Sequence, residues 1–416
     1  MKSLLFFTDT FPLSGLTEPS FILPEIQVMD KSFDRITILP ENKASNGEKV
    51  NLPEKFCIDQ TFCNQDLSCN NLILLRHLFK PFVLQLLFKE KKRIKNRYQF
   101  FSFLRYINKA LFYKAYINRL LINGEIDSQN TVFYSFWFSE ITFALAMLCD
   151  KYHLTFSCRA HGYDLYDERV VFRSHAIRAY TLSKILHVYP CSEQGWNYMK
   201  KQYPTYNEKI SVSYLGCEKI YNTFNPTSED HKTITFFTCA RLHSVKRLPM
   251  TYNILADVAK YFKDIHVCWQ IIGEGDERSK LETLIVQNHV PNFTVSLCGA
   301  KSNEEVHKIY SKKHIDWGIL LSESEGLSIS VCEQLAYKIP VIVTNVGGLP
   351  EVVDESNGIL LSPEPTSNEL ISKLTKYINN AELYDTICNN AYNKWSNNYN
   401  SNKNRVEFMK MLSVKR

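Results

Sequence analysis

Residues 322–336 have the sequence SESEGLSISVCEQLA, and they follow a mostly apolar run of strand length at residues 315–321. Serines after Gly326 can cap a helix, so the pattern predicts a strand, a short loop and a helix that starts near Ser328. The first turn of such a helix has backbone N–H groups without partners and carries the positive end of the helix dipole. We therefore expect the backbone at Ser328 and Ile329 to bind an anionic ligand such as a diphosphate.

Two glutamates accompany this anion site. Glu325 lies on the turn, and Glu333 lies eight residues later, at the edge of the apolar face of the helix. A half-buried carboxylate is costly without hydrogen-bond donors, and the vicinal hydroxyls of a ribose would supply them. The alternative is that Glu333 is a solvated helix residue and Glu325 a loop charge. These two residues alone leave both interpretations open.

The continuation, KIPVIVTNVGGLPEVV at residues 338–353, predicts a second strand, a double-glycine turn and a helix with Pro350 in its first turn. Together the two stretches resemble the retaining glycosyltransferases of family 4, which carry a Glu-x7-Glu signature followed by Pro-Val-x-x-Thr-x-x-Gly-Gly-x-x-Glu. The resemblance implies the GT-B fold, an α/β architecture of two doubly wound Rossmann-like domains facing a cleft. It also implies a nucleotide sugar as the donor substrate.

Composition sets the frame for this resemblance. The chain has 416 residues, 45% of them hydrophobic, which is enough for two or three domains. Its twelve cysteines include no Cys-x-x-Cys pair and fit a reducing cytoplasm. Cys57, Cys63 and Cys69 are evenly spaced, but no histidine lies among them, so we expect no metal site there. The apolar start ends at Thr8 and predicts a strand rather than a signal peptide, and no later span is long and apolar enough for a membrane.

The predicted organisation has three parts. Residues 1–220 form an acceptor-binding Rossmann-like domain, residues 221–385 a nucleotide-sugar-binding one, and residues 386–416 a C-terminal helix that packs back towards the first domain. A polar, turn-rich stretch from Tyr221 to Lys232 is expected to be the linker. Ligands of doubly wound domains bind outside the carboxyl ends of the strands, so the function is expected there.

Two residues of the first domain are candidates for the site. Gly15 follows the first strand, where the family often has a glycine pair against the donor diphosphate. With one glycine, preceded by Phe11-Pro12, the loop more closely resembles the bacterial surface-polysaccharide branch, whose products include lipopolysaccharide and capsule. His161 ends a strand, a place where a structural hydrogen bond is the simple alternative. The resemblance implies that His161 lies beside the donor sugar.

The second domain opens with a strand that runs into Arg241 and Lys246. Two fixed cations five residues apart at a strand end suit a diphosphate, although surface charges unrelated to a ligand are the alternative. Gly273 closes the next strand in a Gly-x-Gly turn, which by itself is a weak signal. Cys298 ends the third strand and, by resemblance, lies near the nucleobase. Eight of the 14 glycines fall between Gly273 and Gly358, which indicates tight turns or close approach to a ligand.

The stretch from Arg76 to Arg119 is strongly basic. It contains twelve lysines and arginines and the single acid Glu90, interleaved with Leu, Phe and Tyr, whereas the whole chain has a net charge of +6. Amphipathic basic helices of this kind favour an anionic membrane surface. Ordinary solvated helix faces are the alternative. Nucleic acid is disfavoured because no recognised nucleic-acid module is present.

We therefore predict a retaining, metal-independent hexosyltransferase that takes a UDP- or GDP-sugar and extends a growing surface glycan or a lipid-linked acceptor. No cofactor is expected, because Arg241, Lys246 and helix amides can neutralise a leaving diphosphate and no Asp-x-Asp pair is present. The expected location is the cytoplasm, at the inner face of the membrane. A sugar-nucleotide epimerase of the same fold and a non-catalytic glycan-binding partner subunit are the alternatives.

Overall fold

The computed structural model describes residues 2–12, 17–42, 50–65, 70–226 and 232–413. The chain forms two compact units, one of Met1–Leu215 with Arg405–Arg416 and one of Gly216–Asn404. Each unit is built on a parallel sheet of six strands with helical connections. The predicted α/β class with two doubly wound Rossmann-like domains is confirmed.

The sheet of the first unit has the strand order β3-β2-β1-β4-β5-β6. Alternate residues of β1 face opposite ways: Leu5 and Phe7 join the apolar cluster with α4 and α5, while Leu4 and Phe6 join the cluster with α1 and the last helix. The strands are β1 (Ser3–Thr8), β2 (Arg35–Pro40), β3 (Phe56–Ile58), β4 (Thr131–Ser135), β5 (Thr155–Ala160) and β6 (His187–Pro190). The helices around them are α1 (Thr17–Ser32), α2 (Asn71–Leu74), α3 (Pro81–Glu90), α4 (Arg97–Ile122), α5 (Glu140–Tyr152), α6 (Gly162–Leu165), α7 (His175–Lys184) and α8 (Glu193–Gln202).

The sheet of the second unit has the order β12-β11-β10-β7-β8-β9. Its strands are β7 (Thr233–Cys239), β8 (His266–Ile272), β9 (Phe293–Leu297), β10 (Trp317–Leu320), β11 (Val341–Thr344) and β12 (Gly358–Leu361). Its helices are α9 (Leu248–Tyr261), α10 (Arg278–Gln287), α11 (Asn303–Lys312), α12 (Ile329–Ala336), α13 (Leu349–Val352), α14 (Ser367–Ile378) and α15 (Ala381–Lys394). In both sheets the order reverses beside the first strand, between β1 and β4 and between β7 and β10. Doubly wound sheets bind their ligands at such reversals.

The C-terminal segment is more divided than the single helix that the sequence predicts. After α15 come a π-helical turn (Trp395–Tyr399) and α16 (Ser401–Leu412). Phe408, Met409 and Leu412 are buried in the first unit. The stretch predicted as a linker also differs, because its described beginning belongs to the second unit: the Tyr221 amide donates to the Tyr337 hydroxyl at 3.1 Å.

The basic stretch forms two kinds of helix rather than one. One face of α4 is buried from Phe103 to Leu120, so this helix is mainly a core element of the first unit. In contrast, α2, the 3₁₀ helix Leu75–Phe79 and α3 expose several large apolar side chains: Leu72, Ile73, Phe79, Leu84 and Phe88. The predicted amphipathic surface is therefore concentrated at residues 71–97.

Candidate active site

Lys246 and Glu325 meet at the strand-order reversal of the second unit. Lys246 ends the 3₁₀ helix Ser244–Lys246 after β7, and its Nζ lies 2.5 Å from Glu325 Oε2 in the loop after β10. Both side chains are about one-sixth exposed, at 17% and 16%. The Glu323 amide also donates to the Val245 carbonyl at 2.8 Å, so backbone and side chains join the two loops. Arg241, by contrast, is exposed and forms no ion pair with the described residues.

The double-glycine turn at Gly347 and Gly348 contacts the backbone of the Glu325 loop. The Gly348 amide donates to the Glu325 carbonyl at 3.1 Å. Gly347 has a φ of +54°, and a Cβ on it would lie 1.8 Å from the same carbonyl oxygen. Only glycine allows this approach, because a side chain would meet backbone rather than a movable group. The turn after β11 therefore fixes the backbone that carries Glu325.

The helix α12 begins at Ile329, as expected, with Ser328 in the N-cap position. Ser328 makes no side-chain capping bond, and its Oγ lies 3.4 Å from Ser330 Oγ instead. The first-turn amides therefore receive no cap from the side chain of Ser328. These N–H groups can donate hydrogen bonds to an anion that lies beyond the carboxyl end of β10.

Glu333 is more deeply buried than the sequence predicts. Its side chain is 6% exposed. Its Oε1 accepts a hydrogen bond from Asn303 Nδ2 at 3.0 Å and lies 3.5 Å from His307 Nε2. Protein groups of α11 thus supply part of the stabilisation that was expected from a ribose. Asn303 and His307 were missed because they precede Glu333 by 30 and 26 residues and match no local motif.

Gly273 and Cys298 lie at the neighbouring strand ends. Gly273 has a φ of +142°, and a Cβ there would lie 1.9 Å from the Ala240 carbonyl oxygen, so the Gly-x-Gly turn packs directly on the loop after β7. The Cys298 amide donates to the Ile271 carbonyl at 2.8 Å, and its side chain is exposed. The structure thus gathers the second-unit candidates at one sheet edge, with Lys246 and Glu325 in direct contact.

His161 lies at the end of β5 in the first unit. Its ring contacts those of Phe136 and Trp137, with centroids 4.6 and 4.5 Å away. Both ring nitrogens are buried, the ring forms a capping box with Asp164 at the start of α6, and Nδ1 lies 4.0 Å from Asp164 Oδ2. Burial, and secondarily the Arg159 charge, lower the pKa of His161 to about 3, so the ring is neutral near pH 7. Gly15, the other candidate of this unit, lies outside the described residues.

Two carboxylates tie together the loops around His161. Glu18, 4% exposed, accepts the amides of Asp9, Thr10 and Phe11 and the Trp137 Nε1 proton at 2.6 Å. Asp164 accepts the amides of Phe138 and His161, and burial raises its pKa to about 6. By resemblance, the sequence pointed only to the Phe11-Pro12 loop before α1, and not to Glu18. Trp137 and Asp164 carried no motif that would have marked them.

A cavity of about 640 Å³ opens beside these loops in the first unit. Its lining comes from the ends of β1, β2 and β4, from α4, from the first residue of α5, from α6 and from the segment before α7: Asp9, Glu41, Asn42, Ser102, Arg105, Tyr106, Asn108, Lys109, Trp137, Phe138, Ser139, Glu140, Tyr163, Asp164, Val170, Val171, Phe172 and Arg173. Lys109 Nζ lies 2.8 Å from Glu41 Oε2 and 3.9 Å from Glu140 Oε2. Carboxylates beside aromatic rings are suited to a polar, hydroxyl-rich ligand.

No group of three or more histidine, cysteine, aspartate or glutamate side chains that could hold an ion occurs in the described part of the chain.

Comparison with known proteins adds family evidence to this geometry. Residues 220–394 match the family model described as glycosyl transferases group 1. The Methanocaldococcus jannaschii protein named uncharacterized glycosyltransferase MJ1178 is 35% identical over 139 residues, which are 33% of this chain and 38% of that protein. The amylovoran biosynthesis glycosyltransferase AmsK of Erwinia amylovora is 27% identical over 177 residues, 41% of this chain and 42% of that protein. These matches span about two fifths of the length of either relative.

A likeness of fold covers the whole chain. The crystal structure of Anabaena Alr3699/HepE in complex with UDP matches 99% of this chain and 100% of its own, with a TM-score of 0.60 and 14% identity. At that identity the likeness shows the fold alone. Together, the family match and the fold confirm the predicted resemblance to glycosyltransferases of family 4 and the GT-B type.

Proposed function

Because residues 220–394 match the glycosyl transferases of group 1, we propose that the chain is a retaining glycosyltransferase. It moves a hexosyl unit from a UDP- or GDP-sugar to a growing surface glycan or a lipid-linked acceptor. The observation that carries this proposal is the contact of Lys246 with Glu325 in front of the uncapped α12. A cation, free amides and a hydroxyl-binding carboxylate at one point suit a sugar diphosphate.

The roles follow from this placement. Lys246 and the first amides of α12 neutralise the diphosphate as it leaves, and the exposed Arg241 supplies a second cation. Glu325 holds hydroxyls of the transferred sugar, and Glu333 binds the ribose. Gly273 and Cys298 lie towards the nucleobase. We keep His161 beside the transferred sugar in this scheme, because its buried, neutral ring directly follows the carboxyl end of β5.

The comparisons support the substrate classes only by analogy. The Anabaena crystal structure is a complex with UDP, and AmsK is named as a glycosyltransferase of amylovoran biosynthesis. A panel of nucleotide sugars tested by thermal protection would identify the donor. Product analysis without an acceptor then separates the transferase, which leaves the donor sugar unchanged, from an epimerase, which converts it. Lack of protection by every donor would contradict the proposal.

We expect a chelator to leave the transfer rate largely unchanged. The physical reason is that Lys246, Arg241 and the α12 amides already place positive charge where the diphosphate departs. Initial rates are measured with and without excess EDTA, after dialysis. A complete loss of activity that magnesium or manganese restores would show that the cations of the chain are insufficient.

A membrane surface is the second part of the proposal. In the described residues no single helix is long and apolar enough to cross a bilayer, but Asn71–Phe79 and Pro81–Glu90, bent by 104° to each other, pass the length and composition criterion as a pair. Their exposed apolar side chains include Phe79 at 89% and Phe88 at 68%. Exposed lysines follow directly at 89, 91, 92 and 95. Apolar side chains beside cations suit the headgroup region of an anionic membrane.

We expect the chain to pellet with vesicles that contain anionic lipid and not with neutral vesicles. Changing Lys89, Lys91, Lys92 and Lys95 to glutamine should abolish pelleting, since each nearby cation contributes about 1 kcal/mol. Arg93 is left in place because its Nη2 lies 2.8 Å from Asp167 Oδ2. The matched control makes the same charge change at four exposed lysines elsewhere in the unit: Lys31, Lys55, Lys151 and Lys201. Equal pelleting with both kinds of vesicle would count against docking by charge.

A further inference from the structure

His307 of α11 is a buried histidine that lies between Glu333 of α12 and Tyr337, the residue that ends this helix. Its side chain is 2% exposed. Nε2 lies 3.5 Å from Glu333 Oε1, and Nδ1 lies 3.0 Å from the Tyr337 hydroxyl. The rings of Tyr310 and Tyr337 pack edge to face with the imidazole, with centroids 6.0 and 5.5 Å away. This packing fixes the ring, so its two nitrogens cannot exchange places without moving both tyrosines.

The hydrogen bonds of Tyr337 determine which nitrogen of His307 carries the proton. The Tyr337 hydroxyl accepts a hydrogen bond from the Tyr221 amide at 3.1 Å, so its own proton is available for His307 Nδ1. With Nδ1 as an acceptor, Nε2 carries the ring proton and faces Glu333 Oε1. The opposite tautomer would place a nitrogen lone pair against a buried carboxylate, which is unfavourable. A chain of polar groups therefore runs from the backbone at Tyr221 to Glu333.

The protein holds Glu333 through one of its two carboxylate oxygens. The side-chain amide of Asn303 donates to Oε1 at 3.0 Å, and His307 Nε2 faces the same oxygen. No described residue donates a hydrogen bond to Oε2. Two donors at one oxygen fix the direction in which the other points. Oε2 is thus left, in a fixed position, for a donor that the protein does not supply.

We propose that His307 is a positioning residue for the ribose of the donor. It holds Glu333 through Oε1, so that Oε2 accepts hydrogen bonds from the ribose hydroxyls. Asn303 shares this role, and Tyr337 keeps the ring proton on Nε2. The inference rests on the proposed function, in which Glu333 binds the ribose. It extends that function to the choice between ribose and deoxyribose nucleotides.

The test measures how much the ribose hydroxyls contribute to binding. UDP, GDP and their 2′,3′-dideoxy forms are titrated into the full chain by calorimetry. The readout is the dissociation constant of the dideoxy form divided by that of the ribose form, for the base that binds more tightly. We expect this ratio to be at least about ten in the parent chain, as for a hydrogen bond to a charged group.

His307→Phe removes the donor and keeps an aromatic ring at the same place. It should lower the ratio to about two or less and leave the affinity for the dideoxy form unchanged, because only hydroxyl binding depends on Nε2. His307→Gln supplies an amide donor and should restore most of the ratio. Asn303 is exposed, so Asn303→Ala tests the other Oε1 donor without a change in the core, and it should lower the ratio at least about threefold. His266→Phe is the matched control: His266 begins β8, at the amino end of the sheet, and its Nε2 lies 3.0 Å from Thr294 Oγ1.

A purely structural role for His307 predicts a different result. His307→Phe would then weaken both nucleotide forms equally and leave the ratio as it was. An unchanged ratio in either His307→Phe or Asn303→Ala overturns the inference, while the nucleotide site stands. A ratio near one in the parent chain shows that Glu333 does not bind the ribose, and it has the same consequence. If the parent chain binds neither UDP nor GDP, the proposed function itself fails, and the inference fails with it.

Discussion

Lys246→Ala and Glu325→Ala each lower kcat by at least about a hundredfold, which is the usual cost of losing a group that stabilises transition-state charge. In the proposed function, Lys246 faces the departing diphosphate, and Glu325 holds both this lysine and the hydroxyls of the transferred sugar. The two side chains contact each other at 2.5 Å, so either change also leaves its partner without a counter-charge. Steady-state rates with the identified donor, together with thermal unfolding of each variant, provide the measurement.

The contact between the two residues makes the double variant informative. Groups that act as one unit give non-additive losses, so Lys246→Ala with Glu325→Ala should be little slower than either single variant. Lys263→Ala, at an exposed lysine of the same unit, should retain the full rate. Near-normal rates in both single variants would remove the proposed site from the second unit.

Gly347→Ala is expected to have the second large effect, on stability and donor binding together. A Cβ at this position would lie 1.8 Å from the Glu325 carbonyl oxygen, and the residue has a φ of +54°. Either the turn or the Glu325 loop must move, because the Cβ would meet backbone atoms of Glu325 and not a movable side chain. We expect the free energy of unfolding to fall by more than about 2 kcal/mol. Donor affinity should fall with it, as Glu325 is displaced.

Gly326, which follows Glu325 in the same loop, provides the control for this change. A Cβ on Gly326 has no atom within 4 Å, so Gly326→Ala should leave the midpoint of urea unfolding nearly unchanged. Urea unfolding of both variants, with the slope compared to that of the unchanged chain, separates a loss of stability from a change in the unfolded state. Equal stability of Gly347→Ala and the parent would mean that the turn relaxes freely, which contradicts the role given to it.

The second unit was predictable because its site is local in sequence. The pattern from Ser322 to Glu351 places a strand, a loop, a helix and the next turn in order, and parallel strands bring such loops to one edge. Lys246 was found by its position after β7. Its direct pairing with Glu325, 79 residues later, was not, since side-chain contacts across a sheet edge depend on the packing of the whole unit.

The first unit was far less predictable. Its cavity draws on residues from Asp9 to Arg173, and none of its lining forms a spaced motif. The prediction of one amphipathic basic surface from Arg76 to Arg119 was too broad. Counting charges cannot separate α4, whose apolar face is buried, from α3, whose Leu84 and Phe88 are exposed. Burial of Glu333 was underestimated for a similar reason. Its donors come from α11, and a helical projection shows only the face on which a residue lies.

The packing of Phe408 governs the order in which the chain can fold as it is made. This ring is buried against Tyr134 and Tyr189, and the Arg159 guanidinium lies 3.8 Å from its centroid. When residues 1–215 have left the ribosome, that apolar surface and the buried pair of Arg159 with Glu25 are still uncovered. The 189 residues of the second unit must be synthesised first, which takes about 10 to 40 s at typical translation rates. The first unit is thus begun first and completed last, and a nascent-chain chaperone has that interval in which to act.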